Sequence, residues 1–174
     1  HQLQNATAAV ATLEVLGLPH KSIEAGLAKT YWPGRLQILR RRPLLVVDGA
    51  HNRDSASKLK EALGQYFHFD HLILIIGTSA DKDMSGIVAE LAPLAHGVIV
   101  TRSRHPRATK PEVLVGEFAK VGVKAGVAED VASAVAEALR RAGRKDLICA
   151  TGSLFLVAEV IEYVKGLHPE FYAS

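Results

Sequence analysis

At 174 residues, 48% hydrophobic and 22% charged, the chain is long enough to bury a core and has the composition of a soluble globular domain. Its formal charge of +3, from 21 Lys and Arg against 18 Asp and Glu, is too small to argue for nucleic acid. Cys149 is the single cysteine, which excludes an internal disulfide and fits a reducing, cytoplasmic compartment. It sits in the apolar run "LICA", where a packed small side chain is expected rather than a reactive thiol. No apolar stretch approaches the ~20 residues of a membrane span, and no signal-peptide pattern is visible. The chain opens on "HQLQNATAAV" and its only methionine is Met84, so it reads as a piece of a longer protein.

In chain order, Leu3 to Leu16 has alanine-rich helical spacing that "GLP" at Gly17 to Pro19 ends. A second short helix is predicted from Lys21 to Lys29, and "TYWPGR" then stops helical character. This places a boundary near Thr30, with a helical lead-in over residues 1–30 and a compact domain over 31–174. Leu36 to Leu39 and Leu44 to Val47 are short apolar runs joined by "RRRP", the pattern of an antiparallel hairpin with a charged loop. Asn52 to Tyr66 reads as a helix, with Ala56, Leu59, Ala62 and Leu63 on one face. After it come the strand "HLILIIG", a helix over Met84 to Leu94, the strand "GVIVT" and a helix over Pro111 to Lys120 opened by proline. A weak strand near Val123 to Val127, a helix over Val131 to Ala142, the strand "DLICATG" and a helix over Leu154 to Val164 complete the chain. Continuous Val/Ile/Leu strands alternating with amphipathic helices predict an α/β fold, a three-layer Rossmann-like domain with a mostly parallel sheet, one antiparallel hairpin strand and helices on both faces.

In such a sheet, ligands bind beyond the carboxyl ends of the strands. Those ends carry "DGAHN" at Asp48 to Asn52, "GTSADKD" after Ile76, "TRSRHPRA" after Val100 and "TGSL" at Thr151 to Leu154. Each has a plain structural reading beside a functional one. Asp48-Gly49 is a common turn dipeptide, and an acid at a strand end is also what bonds a ribose hydroxyl. His51 is either a ligand contact or an exposed residue beside a helix start. Asn52 and Asp83 have the spacing of N-caps, with Asp54 favourable in the first turn. "TGSL" offers free amides at a helix N-terminus. The basic clusters Arg40 to Arg42 and Arg102 to Arg107 read as solvated turns, although Arg104 and Arg107 have the chemistry to grip phosphate or carboxylate. There is no G-x-x-x-x-G-K-[ST] loop, no G-x-G-x-x-G after the first strand, no paired His or Cys at metal spacing and no G-x-S-x-G elbow.

Taken together, "HQLQNA" at the start, "WPGR" at Trp32 to Arg35, "DGAHN", "DKD" at Asp81 to Asp83 and "TGSL", in this order and spacing, resemble folylpolyglutamate synthase and the related dihydrofolate synthase, of the ATP-dependent Mur ligase superfamily. The resemblance covers the carboxyl-terminal domain over 31–174 and, over 1–30, the helical end of the central ATPase domain. It implies an amide ligase: ATP phosphorylates a folate carboxylate to an acyl phosphate, and the amino group of L-glutamate displaces phosphate. Dihydropteroate is a second implied acceptor. The phosphate loop, the magnesium ligands and the pterin site would belong to a preceding domain, so the chain alone is expected to be inactive, with no metal site of its own.

Residue by residue, the resemblance implies that Asn5 is similar to an adenine contact and that Arg35 is similar to the arginine that swings onto the ATP phosphates, a catalytic role. Asp48 resembles the ribose contact, and His51 and Ser153 match positions near glutamate or nucleotide. Where the family usually has proline after "DGAHN", this chain has Arg53. A monomer, no nucleic acid and no membrane are the expected partners beyond ATP, glutamate and folate. Two alternatives stand beside this reading: a stand-alone nucleotide- or partner-binding module, and a cell-wall Mur ligase domain, whose members tend to carry a tyrosine where this chain has Gly49-Ala50.

Overall fold

The computed structural model describes residues 2–169. The chain divides into two compact units, His1–Pro33 and Gly34–Ser174. The first is a helix pair, α1 (Gln2–Val15) and α2 (His20–Lys29). The amides of Gly17 and Leu18 bond back to Glu14 and Leu13 and close the end of α1 before Pro19. His1 of the opening motif lies outside the described residues.

The second unit is a six-stranded sheet with helices on both faces. Its strands are β1 (Gln37–Arg41), β2 (Leu44–Val47), β3 (Leu72–Ile76), β4 (Gly97–Val100), β5 (Ala125–Val127) and β6 (Leu147–Thr151), in spatial order β1-β2-β6-β3-β4-β5. Only the β1–β2 pair is antiparallel. The helices are α3 (Arg53–Tyr66), α4 (Met84–Leu91), α5 (Pro111–Lys120), α6 (Val131–Arg141) and α7 (Leu154–Lys165).

Because successive strand residues face opposite ways, the central strands feed two cores. Val46, Leu72, Leu74, Ile76, Val98 and Cys149 pack with Leu59 and Leu63 of α3, Ile87 and Leu91 of α4 and Phe118 of α5. Leu45, Val47, Ile73, Ile75, Ile99 and Ile148 pack with Val135 and Ala138 of α6 and Leu156 and Val160 of α7. The predicted three-layer α/β architecture is therefore present. Every residue of β3 and of β6 is buried, which is why these two segments read as continuous apolar runs. Cys149 lies wholly buried in β6, and burial pushes its thiol far up.

Several boundaries differ from expectation by one to three residues, β5 for example starting at Ala125 and not Val123, and two of the differences have a visible cause. β1 starts at Gln37 because Leu36 takes a positive φ of 43° and gives its amide to Asp48, and it runs on through Arg40 and Arg41, which pair with Leu45 and Leu44. Two of the three arginines in "RRRP" are thus strand residues, and the hairpin turns at Arg42-Pro43. The α4 segment stops at Leu91 and continues as a 3₁₀ turn over Ala92–Leu94, since Pro93 has no amide to extend an α-helix. Among the described residues no helix is long and apolar enough to cross a membrane.

Candidate functional site

The chain order of the strands creates the site. Connections step outward from β2 through β3 and β4 to β5, and then return so that β6 inserts between β2 and β3. The helix following β2 packs on one face of the sheet and the helix following β6 on the other. Their first turns therefore diverge from adjacent strand ends, leaving a crevice at a topological switch point.

Three loops meet there. After β2 comes Asp48-Gly49-Ala50-His51-Asn52. Asn52 caps α3 by accepting the Ser55 amide at 2.8 Å, and the Ser55 hydroxyl in turn accepts the Asn52 amide at 3.1 Å, forming a capping box. Arg53, where the resemblance implied proline, occupies the first position of α3, and its Nε reaches Glu90 of α4 at 3.3 Å. After β6 comes Thr151-Gly152-Ser153. The Gly152 amide and the Thr151 hydroxyl both donate to the Ala50 carbonyl, at 2.9 and 3.3 Å, and so join the second loop to the first. Gly152 holds φ +100°, and a Cβ there would fall 2.6 Å from the Gly77 carbonyl, so only glycine fits. The third loop is Gly34-Arg35-Leu36, tied to the first on both sides of the arginine. The Gly49 amide donates to the Gly34 carbonyl at 2.8 Å, and the Leu36 amide donates to Asp48 Oδ2 at 2.8 Å.

Asp48 is 6% exposed and uses its other oxygen to accept the Ala50 amide at 2.9 Å. Burial pushes its carboxyl up; the Leu36 and Ala50 amides and the charges of Arg35 and His51 pull it back. Arg35 is half-buried and makes no hydrogen bond or ion pair among the described residues, so its guanidinium keeps its donors available beside Asp48. His51 places Nδ1 2.8 Å from the Gly49 carbonyl. A carbonyl only accepts, so Nδ1 carries a proton, and Nε2 is an acceptor when the ring is uncharged and a donor when it is charged. Ser153 is the N-cap of α7, its Oγ accepting the Phe155 amide at 3.2 Å. Arg35, Asp48, His51 and Ser153 therefore belong to three hydrogen-bonded loops at the carboxyl ends of β2 and β6. Asn5 is exposed on α1, in the other unit.

The loops after β3 and β4 zip together: Thr109 donates its amide to Thr78, Ala80 to Arg107, and Ser79 bridges Ala108. Asp83 caps α4 as predicted, accepting the Gly86 amide at 2.9 Å. Arg104 is exposed but tied to α7. Its amide donates to Glu159 of α7 at 2.7 Å, its side chain pairs with Glu162, and the neighbouring His105 ring stacks on Phe155 at 3.8 Å. Glu159 is a residue that sequence reasoning missed. The available signal was an acid between Leu156, Val157 and Val160 on the buried stripe of α7, where a carboxylate persists only if it is paired. Among the described residues no group of three or more His, Cys, Asp and Glu side chains is gathered to hold a metal ion.

Residues 34–154 match the family described as Mur ligase, glutamate ligase domain. A probable bifunctional folylpolyglutamate synthase/dihydropteroate synthase of Halobacterium salinarum is 35% identical over 161 residues, 91% of this chain and 20% of that protein. Among solved structures, Mycobacterium tuberculosis folylpolyglutamate synthase complexed with ADP and AMPPCP superposes with a TM-score of 0.82 at 31% identity, covering 98% of this chain and 41% of that one. A bifunctional folylpolyglutamate synthase/dihydrofolate synthase with Mn, AMPPNP and L-glutamate bound gives 0.82 at 29% identity, over 94% and 39%. The chain thus spans less than half the length of the relatives it matches. With the three-loop corner in place at the strand ends and the family match covering it, the chain belongs to the Mur ligases, as the carboxyl-terminal, glutamate ligase domain of the folylpolyglutamate synthase/dihydrofolate synthase family.

Proposed function

We propose that this chain is the nucleotide-closing and glutamate-binding part of an ATP-dependent ligase that joins L-glutamate to a folate, and to dihydropteroate where the whole protein accepts it. The observation that carries the reading is Arg35: the backbone on both sides of it is bonded to the Asp48-Gly49 turn, while its guanidinium is left without a partner among the described residues. An arginine held in this way is preorganised for an anion that arrives from outside the chain.

In this reading Asp48 takes the ribose of ATP with its remaining lone pairs. Arg35 meets the phosphates and stabilises the charge that builds as the terminal phosphoryl group passes to the folate carboxylate. The amine of L-glutamate then attacks the acyl phosphate, and phosphate leaves. His51, with Nε2 of the uncharged ring as the acceptor, and Ser153, at the N-terminus of α7, bind the incoming glutamate at its ammonium and carboxylate. Residues 1–30 form the helical end of the ATPase domain, with Asn5 toward adenine. Magnesium would supply charge neutralisation at the phosphates from ligands outside this chain. The neighbour solved with AMPPNP, Mn and L-glutamate bound supports the choice of ATP and L-glutamate as ligands.

Isothermal titration with a non-hydrolysable ATP analogue and magnesium tests the reading, performed on this chain and on the longer protein that contains it. Tight binding by the longer protein alone is the expected result. Equally tight binding by this chain would mean that it carries its own nucleotide cradle, and the half-site reading would be wrong.

A further inference from the structure

Gly49 is a glycine for a reason that its backbone does not supply. Its φ lies outside the left-handed region, so any residue could adopt its conformation. What excludes a side chain is space. A Cβ at this position would overlap Cδ2 of Leu154, lie 3.2 Å from its Cγ, and come within 3.3 Å of Nη1 of Arg35. The guanidinium of Arg35 thus rests over the bare peptide of residue 49, and the tip of Leu154 fills the adjoining volume. Leu154 opens α7 directly after the cap Ser153 and is 47% exposed, so nothing else in the core requires a leucine there. Arg35 itself is fixed through its backbone, by the Gly49 amide on the Gly34 carbonyl and the Asp48 carboxylate on the Leu36 amide. Its side chain lacks a hydrogen bond that would choose one rotamer among the described residues. Packing is what remains to choose it.

We propose that Gly49 and Leu154 act as one positioning element for Arg35: the missing side chain of the first and the branched tip of the second shape a slot that holds the guanidinium over the end of β2. The inference rests on the reading of Arg35 given above and adds to it the two residues that set where the guanidinium waits. A methyl group at 49 would push against two flexible side-chain ends rather than against backbone, so the fold survives and the displacement falls on Leu154 and Arg35.

The test is a double-mutant cycle in the full-length protein, with kcat and the KM for ATP measured for Gly49→Ala, Leu154→Ala, the double variant and Arg35→Ala, and thermal melts run alongside. Shifting a catalytic group by a fraction of an ångström costs about tenfold in rate. Gly49→Ala is expected to lower kcat by about that factor with its melting temperature nearly unchanged, while KM for ATP moves less. Leu154→Ala vacates the volume into which the new methyl group must go, so the double variant is expected to recover most of the lost kcat, a non-additivity that independent sites do not show. Leu154→Ala alone loosens the slot and is expected to lower kcat by about threefold. If Arg35→Ala lowers kcat but Gly49→Ala matches the parent, or the double variant is simply the sum of the single ones, the positioning role is wrong and the reading of Arg35 stands. If Arg35→Ala leaves kcat unchanged, that reading fails and takes this inference with it.

Discussion

The amide of Leu36 donates to Oδ2 of Asp48 at 2.8 Å across twelve residues of chain, while the amide of Ala50 takes Oδ1 at 2.9 Å. One buried carboxylate therefore closes the turn in which it lies and anchors the loop that carries Arg35. Asp48→Asn keeps the shape but replaces one acceptor with an NH2 group facing an amide. It is expected to destabilise this chain by about 1–3 kcal/mol, the usual cost of stranding a buried donor, and urea unfolding measures it.

Arg35 and Asp48 are expected to fail differently in the full-length protein. Asp48→Ala should raise the KM for ATP, because a ribose contact is made in the ground state and the transition state alike, and should lower kcat as well, because it strands the Leu36 amide that anchors the Arg35 loop. Arg35→Ala should lower kcat more than it raises KM, because its partner's charge grows during transfer. Steady-state kinetics at saturating folate and glutamate separates the two, and an Arg35→Ala effect confined to KM would remove the transition-state role.

Glu159 is 5% exposed and accepts the Arg104 amide, and burial pushes its carboxyl up while Arg104 pulls it down. Glu159→Ala leaves that amide without its acceptor and removes one of the ties between the Arg104 loop and α7, the Glu162 pair and the His105–Phe155 stack remaining, at a cost of about 2 kcal/mol. Glu159→Gln keeps an acceptor oxygen and is expected to cost less than half as much. Equal losses in chemical denaturation of the two variants would show that charge, and not the hydrogen bond, holds the loop.

Asp130 caps α6, and the Ser133 amide, bonded at 2.7 Å, together with the Ser133 side chain holds its carboxyl below the usual range. A carboxyl lowered in the folded state stabilises the fold at pH values above its unfolded value of 3.8 and gives up that stability as pH falls through the lower, folded value. Asp130→Ala is expected to cost about 1 kcal/mol at neutral pH. The difference from the parent should shrink on acidification below 3.8, as seen in melts across that range.

Much of this was legible in the sequence, for identifiable reasons. β3 and β6 announced themselves as unbroken apolar runs because both of their faces are covered, and α3 because its buried Leu59 and Leu63 recur at helical spacing. Asn52 and Asp83 were recognisable caps because capping is local chemistry. The corner at Asp48 was visible as an acid at a strand end. What stayed hidden depends on contacts distant in sequence. The start of β1 was misplaced by one residue because Leu36 answers to Asp48 and not to its own strand. Arg104 read as part of a solvated turn because Glu159 and Glu162 stand 55 and 58 residues away. The position of β6 between β2 and β3, which makes the crevice, is a matter of topology that no local pattern carries.

The most direct measurement is phosphate release from ATP by the full-length protein, with a folate and L-glutamate supplied separately and together. The expected result is release that requires both and is matched by formation of one γ-glutamyl amide per phosphate. Release that ignores L-glutamate, or that another amino acid supports equally well, would contradict a glutamate ligase.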